Sequence, residues 1–96
     1  MPKKDLDSGD SLLAASFGRC LARHREAADK SLAALGSAAG MSRAYVWRLE
    51  QGQVLPSLRN IARLSVALDV PVARLLEGLD TSSIRLENRG YEKDAD

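Results

Sequence analysis

Two short stretches with helix-start and helix-stop signals stand almost back to back between Ser31 and Gly52, and their spacing leaves few ways to fold. Ser31 is a good N-cap for the first, Leu32 to Ala39, because its hydroxyl can accept a bond from a backbone N–H of the opening turn. Gly40 ends that stretch. Ser42 caps the second, Arg43 to Gln51, which Gly52 closes. Only Gly40-Met41-Ser42 lies between them. In the second stretch Val46 and Leu49 supply an inward apolar stripe, leaving the polar and basic residues on another face. So short a turn fixes the two helices at a steep mutual angle.

Upstream, Leu13, Phe17, Cys20, Leu21 and His24 recur at three- and four-residue intervals, one buried stripe of a first helix that begins at Ser11. Gly18 lies within that stripe and permits close approach of another helix. Asp29 suits a left-handed turn at the helix end. Beyond Gly52, Gln53-Val54-Leu55-Pro56 reads as an extended loop, since proline biases the residue before it away from helix. Ser57 caps a fourth helix on which Leu58, Ile61, Leu64 and Leu68 form one continuous apolar face. Asp69-Val70 is a tight connection, and Pro71 suits the first turn of a fifth helix ending near Gly78. The expected fold is all-α: a compact five-helix bundle over residues 11–79, between a mobile polar leader, residues 1–10, and a short polar tail, residues 80–96. Within the tail, Ile84 and Leu86 alternate with charges as in a short strand, and the last residues are expected to be disordered.

Composition supports a helical core and closes off several functions. Aromatics are only 4% of the 96 residues, whereas alanine and leucine are plentiful; β-rich domains lean on the opposite balance. No apolar run approaches the roughly 18 residues of a membrane span. The opening seven residues hold no apolar stretch of signal-peptide length, so the cytoplasm is the expected compartment. Cys20 is the sole cysteine and His24 the sole histidine. They offer neither an internal disulfide nor a zinc site, and packing is their expected role. No glycine-rich phosphate loop follows a strand, and no carboxylate pair sits at catalytic spacing. An enzyme is therefore not expected, nor a cofactor or a metal. The net charge of +1 divides unevenly: residues 11–79 hold nine basic against five acidic residues, and eight of the nine are arginine. Arginine is the side chain suited to bidentate contacts with phosphate and guanine.

Order and spacing carry a resemblance. Gly40-Met41-Ser42-Arg43-Ala44-Tyr45-Val46, then Leu49-Glu50-Gln51-Gly52, then Pro56-Ser57-Leu58 leading into the run from Ile61 to Pro71, together resemble the Cro/CI-repressor family of helix-turn-helix proteins, also called the XRE family. The matching region runs from Phe17 to about Leu76. The resemblance implies a lambda-repressor-like domain in which the helix from Arg43 enters the major groove of DNA while the preceding helix crosses the backbone. It implies that Ser42, Arg43, Ala44 and Arg48 face the bases. Arg43 would present a fork to guanine O6 and N7, Ala44 would touch a thymine methyl, and Arg48 would reach a base or a phosphate. Lys30, Ser31, Tyr45, Trp47, Gln53 and Arg59 are assigned to the DNA backbone. Glu50 resembles the family's near-invariant glutamate, and Arg25 matches the first-helix arginine that pairs with it, a structural bridge orienting the recognition helix. Tyr45 is expected to pack its ring on the second helix with its hydroxyl toward phosphate.

Several residues depart from the family pattern. Trp47 stands where something small and polar is usual. It points away from the stripe of Val46 and Leu49, and either covers the Val54-Leu55 loop or lies against DNA backbone or sugars. Leu32 replaces a common glutamine, Lys30 replaces an apolar residue, and Gly36 replaces alanine at a cost of about 1 kcal/mol in helix propensity.

One recognition helix covers too few base pairs for a unique address. A two-fold homodimer on an inverted repeat, with half-sites about 34 Å apart, is therefore expected. Val72, Leu75, Leu76, Leu79, Ile84 and Leu86 are the candidate dimer contacts. The functional expectation is a sequence-specific regulator of double-stranded DNA, repressing by promoter occlusion. Its rival is an antitoxin-like module that holds another regulatory or toxin protein, with the acidic tail wrapping that partner. The enzyme-class rival is a nucleic-acid-processing accessory domain.

Overall fold

Three serines fix where the middle helices begin. Ser31, Ser42 and Ser57 have extended backbones, and each hydroxyl oxygen accepts a bond at 3.0 Å from the N–H three residues on, that of Ala34, Tyr45 and Asn60 respectively. In the computed structural model, which describes residues 8–86, they open α2 (Leu32–Ala39), α3 (Arg43–Glu50) and α4 (Leu58–Leu68). The long α1 (Ser8–Ala27) precedes them and the single turn of α5 (Val72–Leu75) follows. The described residues are thus all-helical, with five helices and no strand.

The stops are as local as the starts. Asp29, Gly40 and Asp69 take left-handed backbones with φ of 57°, 74° and 57°. The residue after each returns a hydrogen bond to the preceding helix: Lys30 N–H to the Arg25 carbonyl, Met41 to Gly36 and Val70 to Ser65. Aspartate tolerates this conformation because its short polar side chain can bond locally.

All five helices contribute to one core. Phe17 and Leu21, Leu35 and Ala39, Val46 and Leu49, Leu64 and Leu68, and Leu75 meet there, none more than 7% exposed. α3 packs on α1 and α2, α2 also meets α4, and α5 joins α4 to α1. Helices shorter than about 12 residues are marginal in isolation. The eight residues of α3 therefore owe their shape to this support.

Some details differ from the sequence expectation. α1 begins at Ser8, three residues before the signal at Ser11, and residues 1–7 of the expected leader lie outside the described residues. Leu58 is 75% exposed rather than part of the buried face. It sits in the first turn, roughly 80° around the helix from Leu68. Ile84 and Leu86 form no strand; the Ile84 N–H instead closes a turn on the Thr81 carbonyl at 3.0 Å. Alternation alone gives a strand no neighbour to pair with. The chain after α5 folds back over α1, where the Asp80 N–H donates to the buried Ser16 hydroxyl oxygen at 2.9 Å. Ser82 gives both its N–H and its hydroxyl proton to Asp80 Oδ1, and these bonds hold that carboxyl below its ordinary range. The disorder expected at the chain's end falls on residues 87–96, outside the described residues. No described helix is long and apolar enough to cross a membrane.

Candidate functional site

Two glycines and one ion pair hold α3 to its scaffold. At Gly18 the backbone of α1 abuts the end of α3 so closely that an added Cβ would lie 2.5 Å from the Glu50 carbonyl oxygen. At Gly36 a Cβ would lie 2.7 Å from the Met41 carbonyl oxygen, so the turn into α3 lies flat on α2 only because no side chain intervenes. The departure from alanine at this position thus has a steric reason.

Arg25 and Glu50 meet across 25 residues of sequence. Arg25 Nε donates to Glu50 Oε2 at 2.6 Å and Nη2 donates to Oε1 at 3.0 Å, while Nη1 reaches the Lys30 carbonyl at 2.9 Å. The side chains are only 15% and 7% exposed. Parallel, charge-assisted bonds of this kind fix orientation as well as distance. The hydrogen bonds to Glu50 push the guanidinium pKa further up, against the opposing effect of burial. One guanidinium thereby ties together the end of α1, the loop before α2 and the end of α3.

The opposite side of α3 is open. Val46 and Leu49 are fully buried, and at about 3.6 residues per turn the outward face consists of Ala44, Trp47 and Arg48, with Arg43 at its edge and Gln51 at its end. All five are exposed. The single acidic residue of α3, Glu50, is turned inward, so the charges on the open face are those of Arg43 and Arg48. The Arg48 guanidinium carbon lies 5.9 Å from the centre of the Tyr45 ring, within cation–π reach. Tyr45 packs its ring partly against the core, and its hydroxyl oxygen accepts a bond from Asn60 Nδ2 at 3.1 Å. That bond leaves the tyrosine's own proton available to an outside acceptor.

The remaining sequence candidates fall in different settings. Ser42 and Ser31 are exposed caps whose hydroxyl oxygens already serve α3 and α2. Lys30 is half-buried, and Gln53 and Arg59 are exposed, in the loop before α4 and in its first turn. Leu32, in the family's glutamine position, packs partly on the core, as does Val54. Trp47 stays 41% exposed, and Leu55 37%.

Among the dimer candidates, Leu75 is a correction: at 0% exposure it is a core residue of its own chain and has no surface to offer a second copy. Leu76 and Leu79 are partly buried against the same core, and Val72 is half-buried. Ile84 and Leu86 are exposed, at 38% and 90%. Leu58 and Val66, at 75% and 81%, form with Ala62 an exposed stripe on α4 that the sequence reading missed. Gln51 and Asn60 were also missed. Nothing in their local spacing points to the open face of α3 or to Tyr45, 15 residues from Asn60.

No group of metal-ligating side chains occurs among the described residues. Residues 16–81 match the family described as helix-turn-helix domain. Among solved structures, the chain is similar to the restriction-modification controller protein C.AhdI from Aeromonas hydrophila, with 37% identity and a TM-score of 0.64 over 65% of this chain and 94% of that one. It is similar to the clp gene regulator ClgR from C. glutamicum, with 29% identity and a TM-score of 0.68 over 79% and 97% of the two chains. It is similar also to the hypothetical transcription factor NHTF from Neisseria, with 28% identity and a TM-score of 0.64 over 79% and 85%. No curated protein matches.

Proposed function

For a chain that belongs to the helix-turn-helix domain family, and to its XRE-type regulators, we propose the role of a dimeric repressor that reads an inverted repeat through the major groove. The DNA-binding domain and the regulator class follow from family and neighbours together. The repressor role, the dimer and the residues that read DNA are the proposal. One observation carries it: the open face of α3 presents Arg43, Ala44 and Arg48 while the helix's only carboxylate is drawn inward to Arg25. Arginine at the start of such a helix can form the bidentate pair with guanine, and Ala44 can meet a thymine methyl. Ser42 lies at the same end. Lys30, Ser31, Tyr45, Gln53 and Arg59 supply the phosphate contacts, whose counterion release makes affinity fall steeply with salt. Two copies pair through Val72, Leu76, Leu79, Ile84 and Leu86, presenting two α3 helices to half-sites about one helical turn apart. A bound dimer blocks a promoter that overlaps its site.

Selection of bound duplex from a random pool tests this directly. The expected product is one two-fold symmetric motif, and transcription in vitro from a promoter overlapping it should fall as protein is added. Absence of any gel shift at low salt would end the reading. On the selected site, Arg43→Ala should cost about 1–3 kcal/mol and relax the preference at one base position. An unchanged motif would remove Arg43 from the readers.

A further inference from the structure

We infer that Trp47 reads the 5-methyl group of a pyrimidine, on thymine or on 5-methylcytosine, an inference that rests on the DNA-reading role of α3. Trp47 is the chain's only tryptophan, and it stands on the outward face of α3, 41% exposed. More than half of its surface is covered by the chain, and the rest lies open on that face. Ala44, three residues earlier and exposed, lies beside it on the same face. The two make an apolar strip in the middle of a surface otherwise composed of arginine and glutamine.

The cation best placed to cover that strip is held elsewhere. Arg48 lies with its guanidinium over the Tyr45 ring. Tyr45 is itself tied to α4 through Asn60, and it is two residues from Trp47, on another side of the helix. The exposed part of Trp47 thus shares the outward face with Arg43 and Arg48. An aromatic side chain so exposed gains from any apolar group that displaces water from it. In the major groove the base pairs display one apolar group, the C5-methyl, among hydrogen-bond donors and acceptors. The strip of Ala44 and Trp47, flanked by Arg43 and Arg48, matches a methylated pyrimidine set among guanines.

The test replaces each thymine of the selected site, one at a time, by deoxyuridine, which removes only the methyl group. Fluorescence anisotropy should show a loss of about fourfold at one position in each half-site, the factor expected for burying one methyl. Trp47→Ala should bind the thymine and uridine forms of that position equally, while uridine penalties at other positions persist. Trp47→Phe should retain part of the penalty, and it carries the comparison if the alanine variant does not fold. Replacing the thymine–adenine pair by cytosine–guanine and then by 5-methylcytosine–guanine separates the two sources. Regain with the methylated base assigns the site to the methyl on either pyrimidine, and no regain confines it to thymine. Uridine that is silent at every position, or a penalty undiminished in both variants, overturns the inference while the regulator reading stands. A protein that selects no DNA at all overturns that reading instead.

Discussion

Glu50 is a carboxylate next to a glycine at a helix end, an ordinary place for a solvated charge, yet it is 7% exposed and takes two bonds from Arg25. Truncating it leaves a largely buried guanidinium with the Lys30 carbonyl and, at 3.9 Å, the exposed carboxylate of Glu26. Loss of one partner from a buried pair costs about 3–5 kcal/mol, and the slight exposure of Arg25 places this pair toward the lower end. Glu50→Ala should therefore lower the unfolding free energy by about 3 kcal/mol in urea, with the midpoint moving and the slope constant. A shift within experimental error would mean that α3 is held by its apolar contacts alone. The resemblance to a known family pointed to this pair. The link from Asn60 to Tyr45 had no such guide, because a hydrogen bond between α4 and α3 leaves no periodic trace in the chain.

At the level of elements, what was legible is what is decided locally. The starts of α2, α3 and α4 follow from three serines, and the ends of α1 and α2 from Asp29 and Gly40, which accept a left-handed backbone; Asp69 ends α4 in the same way, where the sequence showed only a tight connection. What tertiary packing decides was less legible. Leu58 has the spacing of a core residue but lies in the first turn, off the buried face, and α5 is one turn where a longer helix was expected. Gly36 shows the two kinds of cause in opposition. Helix propensity favours alanine there by about 1 kcal/mol, whereas the Met41 carbonyl 2.7 Å from the would-be Cβ requires the turn to move. Overpacking costs of about 1–3 kcal/mol are usual. Gly36→Ala should thus lower the thermal midpoint despite the better propensity, and a raised midpoint would show that the turn yields freely.

Across the described residues, the large exposed apolar side chains other than Leu12, Trp47 and Leu55 fall in two places, the segment after α5, with Ile84 and Leu86, and the outer stripe of α4, with Leu58 and Val66. The first group is the one expected to join two copies. Ile84→Ser combined with Leu86→Ser should convert the proposed dimer to monomer in sedimentation, without loss of helical signal. An unchanged mass would move the two-fold axis toward α4. Charge is also distributed by region: residues 11–79 carry net +4 and the two ends together net −3. The regional excess and its geometry, more than the overall +1, are what an anionic polymer would meet.

The three-way tie made by Arg25 has a consequence for the other side of the complex. Because Arg25 binds the loop before α2 and the end of α3 together, α3, in its proposed role of reading DNA, would arrive already shaped, with little slack for accommodating an imperfect fit. Misfit then has to be absorbed by the duplex. On the proposed reading, base steps that bend or twist easily should be favoured even where no side chain touches them, so that the elasticity of the DNA becomes part of the address.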